Sequence, residues 1–347
     1  MVGSADMSLG QWWRLLIAPL GLWTEASSID VGSITLINPS VSVSTNTSGD
    51  DSSGAVLSSV NPQMLTVLWD IRLPRIVFAA LIGAGLSIAG AVMQALFRNP
   101  LAEPGLMGVS AGASLGAVGA IVFISMNPWM IYPFAFAGAL GAMFLAYQVG
   151  RRYPGTAGLL LAGIAINALA AALLGGLSYL ATDAQLRNLS FWTMGSLAVS
   201  SWSILAILVP WILLLSVYLM RQWKVLNALL LGDGVIVQLG YSMRTIRWRL
   251  LLCIALLVGP LVALSGGIAF VGLVVPHCVR LLIGAHHRQL LPISMLLGAL
   301  VLVVLDVLAR TVAAPIELPI GLLTGLIGSV FFIYLLWRSQ QLSRVNL

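Results

Sequence analysis

The sequence predicts an all-α protein that crosses a membrane many times, and two observations carry that prediction. Of its 347 residues 59% are hydrophobic and only 8% charged, where a soluble domain carries about 25% charge. Windows of about 20 mostly apolar residues, enough to span a bilayer as a helix, recur from residue 73 almost to the end. That recurrence excludes a secretory leader ahead of a soluble body and fits one polytopic membrane domain over 1–347. The net charge of +6 comes from cations scattered singly between apolar runs, which read as topology signals rather than as a nucleic-acid surface. Cys253 and Cys278 fall inside apolar runs and read as small buried hydrophobes, not as a disulfide framework.

Taken in order, "LGQWWRLLIAPLGLW" (9–23) is short for a crossing and soon meets Glu25 and Asp30. A first helix over 9–37 is therefore expected to be short, displaced or absent, and 1–68 is poorly defined. "NPSVSVSTNTSGDDSSGAVLSS" cannot bury enough apolar surface to order itself and reads as a solvated loop. Nine spans follow, at 73–97, 105–126, 129–150, 157–181, 202–220, 248–264, 271–283, 290–309 and 318–337. The run 271–283 is too short to cross a core of about 30 Å alone, so it is expected as a short helix buried in protein.

Lys and Arg in alternate short loops set the orientation. Twelve fall on one side, among them Arg98, Arg151, Arg152, Lys224, Arg244 and Arg247, which makes that side cytoplasmic; only Arg72, Arg75, Arg187 and Arg310 face the other. The arginines of "RLPR" thus lie outside, against the bias. Gly112 and Gly116, and Gly321 and Gly325, have the spacing that lets membrane helices approach closely.

Several motifs invite chemistry. "GVSAG" (108–112) matches a nucleophile elbow, but it opens a membrane span instead of topping an α/β sheet. His277 on the short helix reads as a structural histidine, and His286 and His287 fall in a cytoplasmic loop, so no metal site is assigned. Asp306 is the one carboxylate deep in an apolar run, where an unpaired charge is costly. Arg310 lies four residues on, so Asp306 reads first as holding Arg310 and second as a proton carrier. The only lysine is Lys224, which excludes a phosphate-binding P-loop. Any ATP hydrolysis belongs to another chain, and no catalytic residue is assigned. Residues 226–249 form the longest cytoplasmic connection, amphipathic, and read as short helices presented to a soluble partner.

"RLPR", "SIAGAVMQALFRNPLAEPGLMGVSAGA", "LLLAGIAINAL", "LLLGD…QLG", "GGIAFVGLVVPHCVRLLIGAHHR" and "ELPIG" resemble, in order and spacing, the FecCD-type permeases of ABC importers for iron–siderophore, haem and vitamin B12. The resemblance implies a vitamin B12 importer-like fold of about ten helices, working as a homodimer in a bacterial inner membrane. It implies two ATPase subunits on the cytoplasmic face, a periplasmic binding protein outside, and no resident cofactor, ATP acting through the partner chain. Arg72, Arg75 and Arg310 would receive acidic residues of the binding protein, a role suited to the guanidinium fork. The cytoplasmic gate would comprise Asn99, Leu101, Thr156 and Ala157, and the ATPase coupling segment Leu231, Gly232 and Asp233. "PGTAG" and the middle of "LGDGVIVQLG" depart from the family's usual residues.

The chain looks most like the haem-importing branch. Arg187 would meet a haem propionate, and Met194 and Met93 the porphyrin; the alternative cargoes are a ferric siderophore and vitamin B12. An ion-coupled carrier using Asp306 and an intramembrane hydrolase using Ser110 and His277 are the readings from other classes.

Overall fold

The computed structural model describes residues 66–124, 126–153, 155–313 and 315–345, and the described chain from Ile71 onward belongs to one compact unit. The span expected within 9–37 and the loop after it lie outside the described residues.

Helix α1 (Leu73–Phe97) runs on directly from a π-type turn, Val67–Arg72, and carries Pro74 in its first turn, where the ring's fixed φ suits a helix although it cannot donate a hydrogen bond to the turn before it. Apart from Arg75 and Gln94 its residues are apolar or small on every face, and such a helix belongs in the interior. Every residue from Ile82 to Phe97 is buried. Around it pack α6 (Trp202–Arg221), α9 (Met243–Ser265), α10 (Val271–Ile283) and α11 (His287–Thr311). Close approach is bought with missing side chains: a Cβ on Gly83 would strike the carbonyl of Gly298, and one on Gly90 that of Gly272. Gln94, fully buried, donates from Nε2 to the Leu273 carbonyl at 3.1 Å and so fixes α10 against α1.

A second layer is built from α2 (Val109–Phe123), α3 (Pro128–Gly150) and α4 (Ala157–Leu180). Gly112 and Gly116 meet the backbones of Gly138 and Phe134 on α3. In the other glycine pair only Gly321, at the start of α12 (Ile320–Val345), makes such a contact; Gly325 faces open space. Pro260 inside α9 cannot donate to the carbonyl of Leu256, and the indole Nε1 of Trp211 on α6 does so instead, at 2.9 Å.

Each of the nine apolar windows is a helix; six are long and apolar enough to cross a membrane, and α2, α10 and the apolar part of α12 are shorter. Three expectations need correction. Asp183–Met194 is a helix, α5, inside what reads as a connection. The segment 226–249 contains α7 (Trp223–Leu230, which begins just before it) and α8 (Asp233–Gln238), but Met243 onward already belongs to α9, whose first turns carry Arg244, Arg247 and Arg249. His287 is not in a loop: it opens α11, fully buried, and its backbone N–H and Nδ1 lie 2.9 and 2.8 Å from Oδ1 of Asn227 on α7.

Candidate functional site

Helix α1 has 25 residues, about 37 Å at about 1.5 Å per residue, and an arginine–carboxylate cluster sits at each end. At its start, Asp306 of α11 is almost fully buried and holds two guanidiniums. Oδ1 takes Nε and Nη2 of Arg75, both at 3.0 Å, and Oδ2 takes Nη2 of Arg310 at 3.0 Å. The i, i+4 spacing brings Arg310 there; Arg75 arrives through the packing of α1 on α11. Its remaining Nη1 is taken by Glu317, at 2.9 Å. Glu317 reaches inward because Leu318 N–H donates to the Ala309 carbonyl at 3.0 Å, folding the turn after α11 back over the helix end. Two cations and two anions therefore balance, and Arg72, partly exposed on the turn before α1, has no carboxylate partner among the described residues. Sequence reasoning missed Glu317, although "ELPIG" contains it.

At the other end, α1 closes on Arg98 in the left-handed region, φ 49°, and the chain turns through Asn99, whose Oδ1 accepts from the Leu101 N–H at 2.9 Å. Asp233, the first residue of α8, pairs with Arg98 Nη2 at 2.7 Å through Oδ1 and with Arg247 Nη2 at 2.8 Å through Oδ2. Arg247 also donates through Nη1 to the Gly155 carbonyl at 3.4 Å. Gly155 precedes Thr156, which caps α4 without a side-chain bond, and Ala157, its first residue. Gly232 takes φ 111°, a conformation that a side chain resists, and Leu231 before it projects 71% exposed.

Just beyond Leu101, Glu103 lies between helices, and burial raises its carboxyl above the usual 4.5, against a smaller lowering by a hydrogen bond with the Phe270 backbone. An acid raised on folding keeps a proton that the unfolded chain releases. Stability is therefore full below about 4.5 and lost as pH rises toward the folded value. Thermal melts across pH 4–8 in detergent should show this fall in the wild type and its flattening in Glu103→Gln; parallel curves would exclude the effect.

Helix α5 starts with a capping box, Thr182 with Gln185. Gln185 Nε2 also reaches the carbonyls of Ile121 and Val122 at 3.0 and 3.3 Å, orphaned at the end of α2. None of its residues is buried. Arg187, Phe191 and Met194, spaced i, i+4 and i+7, are all exposed and form one stripe. Met93, by contrast, is completely buried in the core and offers no surface to a ligand, because α1 has neighbours on every side.

Comparison with known proteins decides the family: residues 31–338 match the model of the FecCD transport family. The chain belongs to that family. Similar FecCD proteins include the hemin transport system permease protein HmuU of Yersinia pestis, 45% identical over 291 residues, 82% of this chain and 87% of that protein. The vitamin B12 import system permease protein BtuC of Vibrio cholerae is 44% identical over 295 residues, 82% and 86% of the two chains. A solved metal-chelate type ABC transporter in an inward-facing conformation superposes with a TM-score of 0.76 at 35% identity, covering 81% of this chain and 90% of that one. This FecCD chain is a multi-pass permease subunit of the ABC type and not an enzyme; the ATPase is separate. In the FecCD permease Ser110 sits in the first turn of α2, its carbonyl accepting from Ser114 Oγ at 3.1 Å, and His277 Nδ1 on α10 has no hydrogen-bond partner among the described residues. Among the described residues no hydrogen bond joins Ser110 to His277.

Proposed function

We propose that this permease imports haem as a homodimer in a bacterial inner membrane. A periplasmic haem-binding protein seats on Arg72, Arg75 and Arg310. Two ATPase subunits act on Leu231, Gly232 and Asp233, and haem leaves past Asn99, Leu101, Thr156 and Ala157 by alternating access. No cofactor is resident; ATP acts through the partner chain.

The observation that carries the haem assignment is the exposed stripe on α5, a guanidinium followed by an aromatic ring and a thioether on one face. Haem is an apolar plate with two carboxylates, for which one charge-assisted donor beside apolar, polarisable side chains is a matching surface. The edge of cobalamin carries amides, for which a cation is not required. Similarity to the hemin permease supports the same assignment.

Uptake into proteoliposomes, with the ATPase present and the binding protein loaded in turn with haem, a ferric siderophore and cobalamin, tests this. Haem alone should accumulate; accumulation of either other ligand instead overturns the cargo. Arg187→Ala should raise the haem concentration for half-maximal uptake about tenfold, the value of one lost charge-assisted hydrogen bond, and leave binding-protein docking unchanged.

A further inference from the structure

Three chain segments meet at one carboxylate in the second cluster, and a fourth is joined to it through Arg247. Asp233 begins α8; Arg98 ends α1 and directly precedes Asn99; Arg247 lies in the second turn of α9; and Gly155, which accepts from Arg247, directly precedes Thr156. We infer that Asp233 is a positioning residue that ties both gate turns to the ATPase-facing helices, so that one displacement of α8 moves the Asn99–Leu101 turn and the Gly155–Ala157 turn together. This inference rests on the gate and coupling roles in the proposed function.

The division of the carboxylate is what makes it a tie. Each oxygen serves a different arginine, at 2.7 and 2.8 Å, one capping α1 and the other on α9. A guanidinium is a rigid planar fork, so a paired carboxylate cannot move far without carrying it along. Arg98 has little freedom of its own, since it holds a left-handed backbone with its N–H bonded to the Ala95 carbonyl at 3.2 Å. Displacing its side chain therefore acts on the turn that Asn99 and Leu101 form. Arg247 is anchored by α9 and reaches the second turn through a backbone carbonyl, a contact independent of which side chain stands there. Among the described residues no other ion pair joins α8 to either turn.

Both pairs are part-exposed, and such pairs add little to folding stability. Their effect is on coupling. Arm by arm, Asp233→Asn keeps one acceptor oxygen and turns an amide NH2 toward the other guanidinium, so one tie is cut and the shared motion ends. Asp233→Glu retains two acceptors on a longer stem.

The test follows the gates and needs no knowledge of the cargo. Asn99→Cys and Ala157→Cys are introduced separately into a Cys253→Ala, Cys278→Ala background, and the full complex with its ATPase is labelled with a polar maleimide, nucleotide-free and trapped with ATP and vanadate. In the parent both positions should change labelling rate with nucleotide. Asp233→Asn should shrink that response at least about fivefold at one position or both, the lower end of a usual coupling between sites, and uncouple the two, with the labelling expressed per ATPase retained in the complex. Asp233→Glu should recover most of the response. Unchanged, still concerted responses in Asp233→Asn overturn the inference, as does a response that shrinks at both positions only in proportion to ATPase lost from the complex. Absence of any nucleotide response in the parent overturns it as well. Failure of the haem assignment reads differently: no haem uptake by the parent, with the labelling response intact.

Discussion

An Arg72→Glu, Arg310→Glu double variant should bind its periplasmic partner at least about a hundredfold more weakly, while the ATPase still assembles on the opposite face. A hydrogen bond to a charged group is worth about 1.5–3 kcal/mol, so losing two, before any repulsion is counted, exceeds the roughly 2.7 kcal/mol that a hundredfold requires. These two arginines are chosen because they have the most donor capacity left. Arg75 spends Nε and Nη2 on Asp306 and Nη1 on Glu317. Arg310 commits Nη2 to the Asp306 carboxylate and Nε to its carbonyl at 3.3 Å, leaving Nη1 for a partner. Arg72 has no carboxylate among the described residues. Immobilised binding protein titrated with the detergent-solubilised complex gives the affinity; a wild-type value in the double variant would end the docking role of this end.

Replacing Asp306 with asparagine should lower stability by about 3 kcal/mol, the low end of what breaking one side of a buried ion pair costs. Its side chain is only 2% exposed and is the shared anion of Arg75 and Arg310, themselves 12% and 24% exposed. Without it, Glu317, 54% exposed, is the only carboxylate left to Arg75 among the described residues, and Arg310 loses its fixed pose. Docking should weaken together with the melting temperature. A proton carrier predicts another pattern, with uptake abolished, docking normal and the melt unchanged, and that pattern would remove the bracing role.

Much of this architecture was legible because lipid imposes a length on apolar runs, and each of the nine windows is a helix. The Asp306–Arg310 pair was legible because it is local. Arg75 and Glu317 stand 242 positions apart and Arg98 and Asp233 135 apart, and no periodicity brings them together; only the packing of α1 against α11, and of α7 and α8 beside them, does. Helix α5 was missed because it is polar and no face of it is buried, although Thr182 followed by Gln185 is a start signal. The beginning of α9 was misplaced because three arginines suggest a loop. Cations suit a helix C-terminus better than its start, yet long arginine stems can lie along an apolar helix with their charged heads in water. The burial of Met93 was available in principle, since a helix small and apolar on every side has no outward face.

The short helix α10 also bears on how the protein is made. Its 13 residues reach about 20 Å, less than a hydrocarbon core of about 30 Å, and the strand of chain leading into it cannot be left bare to lipid. Its hold on the bilayer is supplied by α1, through Gly90 at Gly272 and Gln94 at Leu273. Because α1 is synthesised some 180 residues earlier, it already stands in the membrane when α10 leaves the ribosome. Insertion of α10 is then an act of assembly on an existing helix rather than of partitioning by its own hydrophobicity, and the order of the chain is part of how this permease is built.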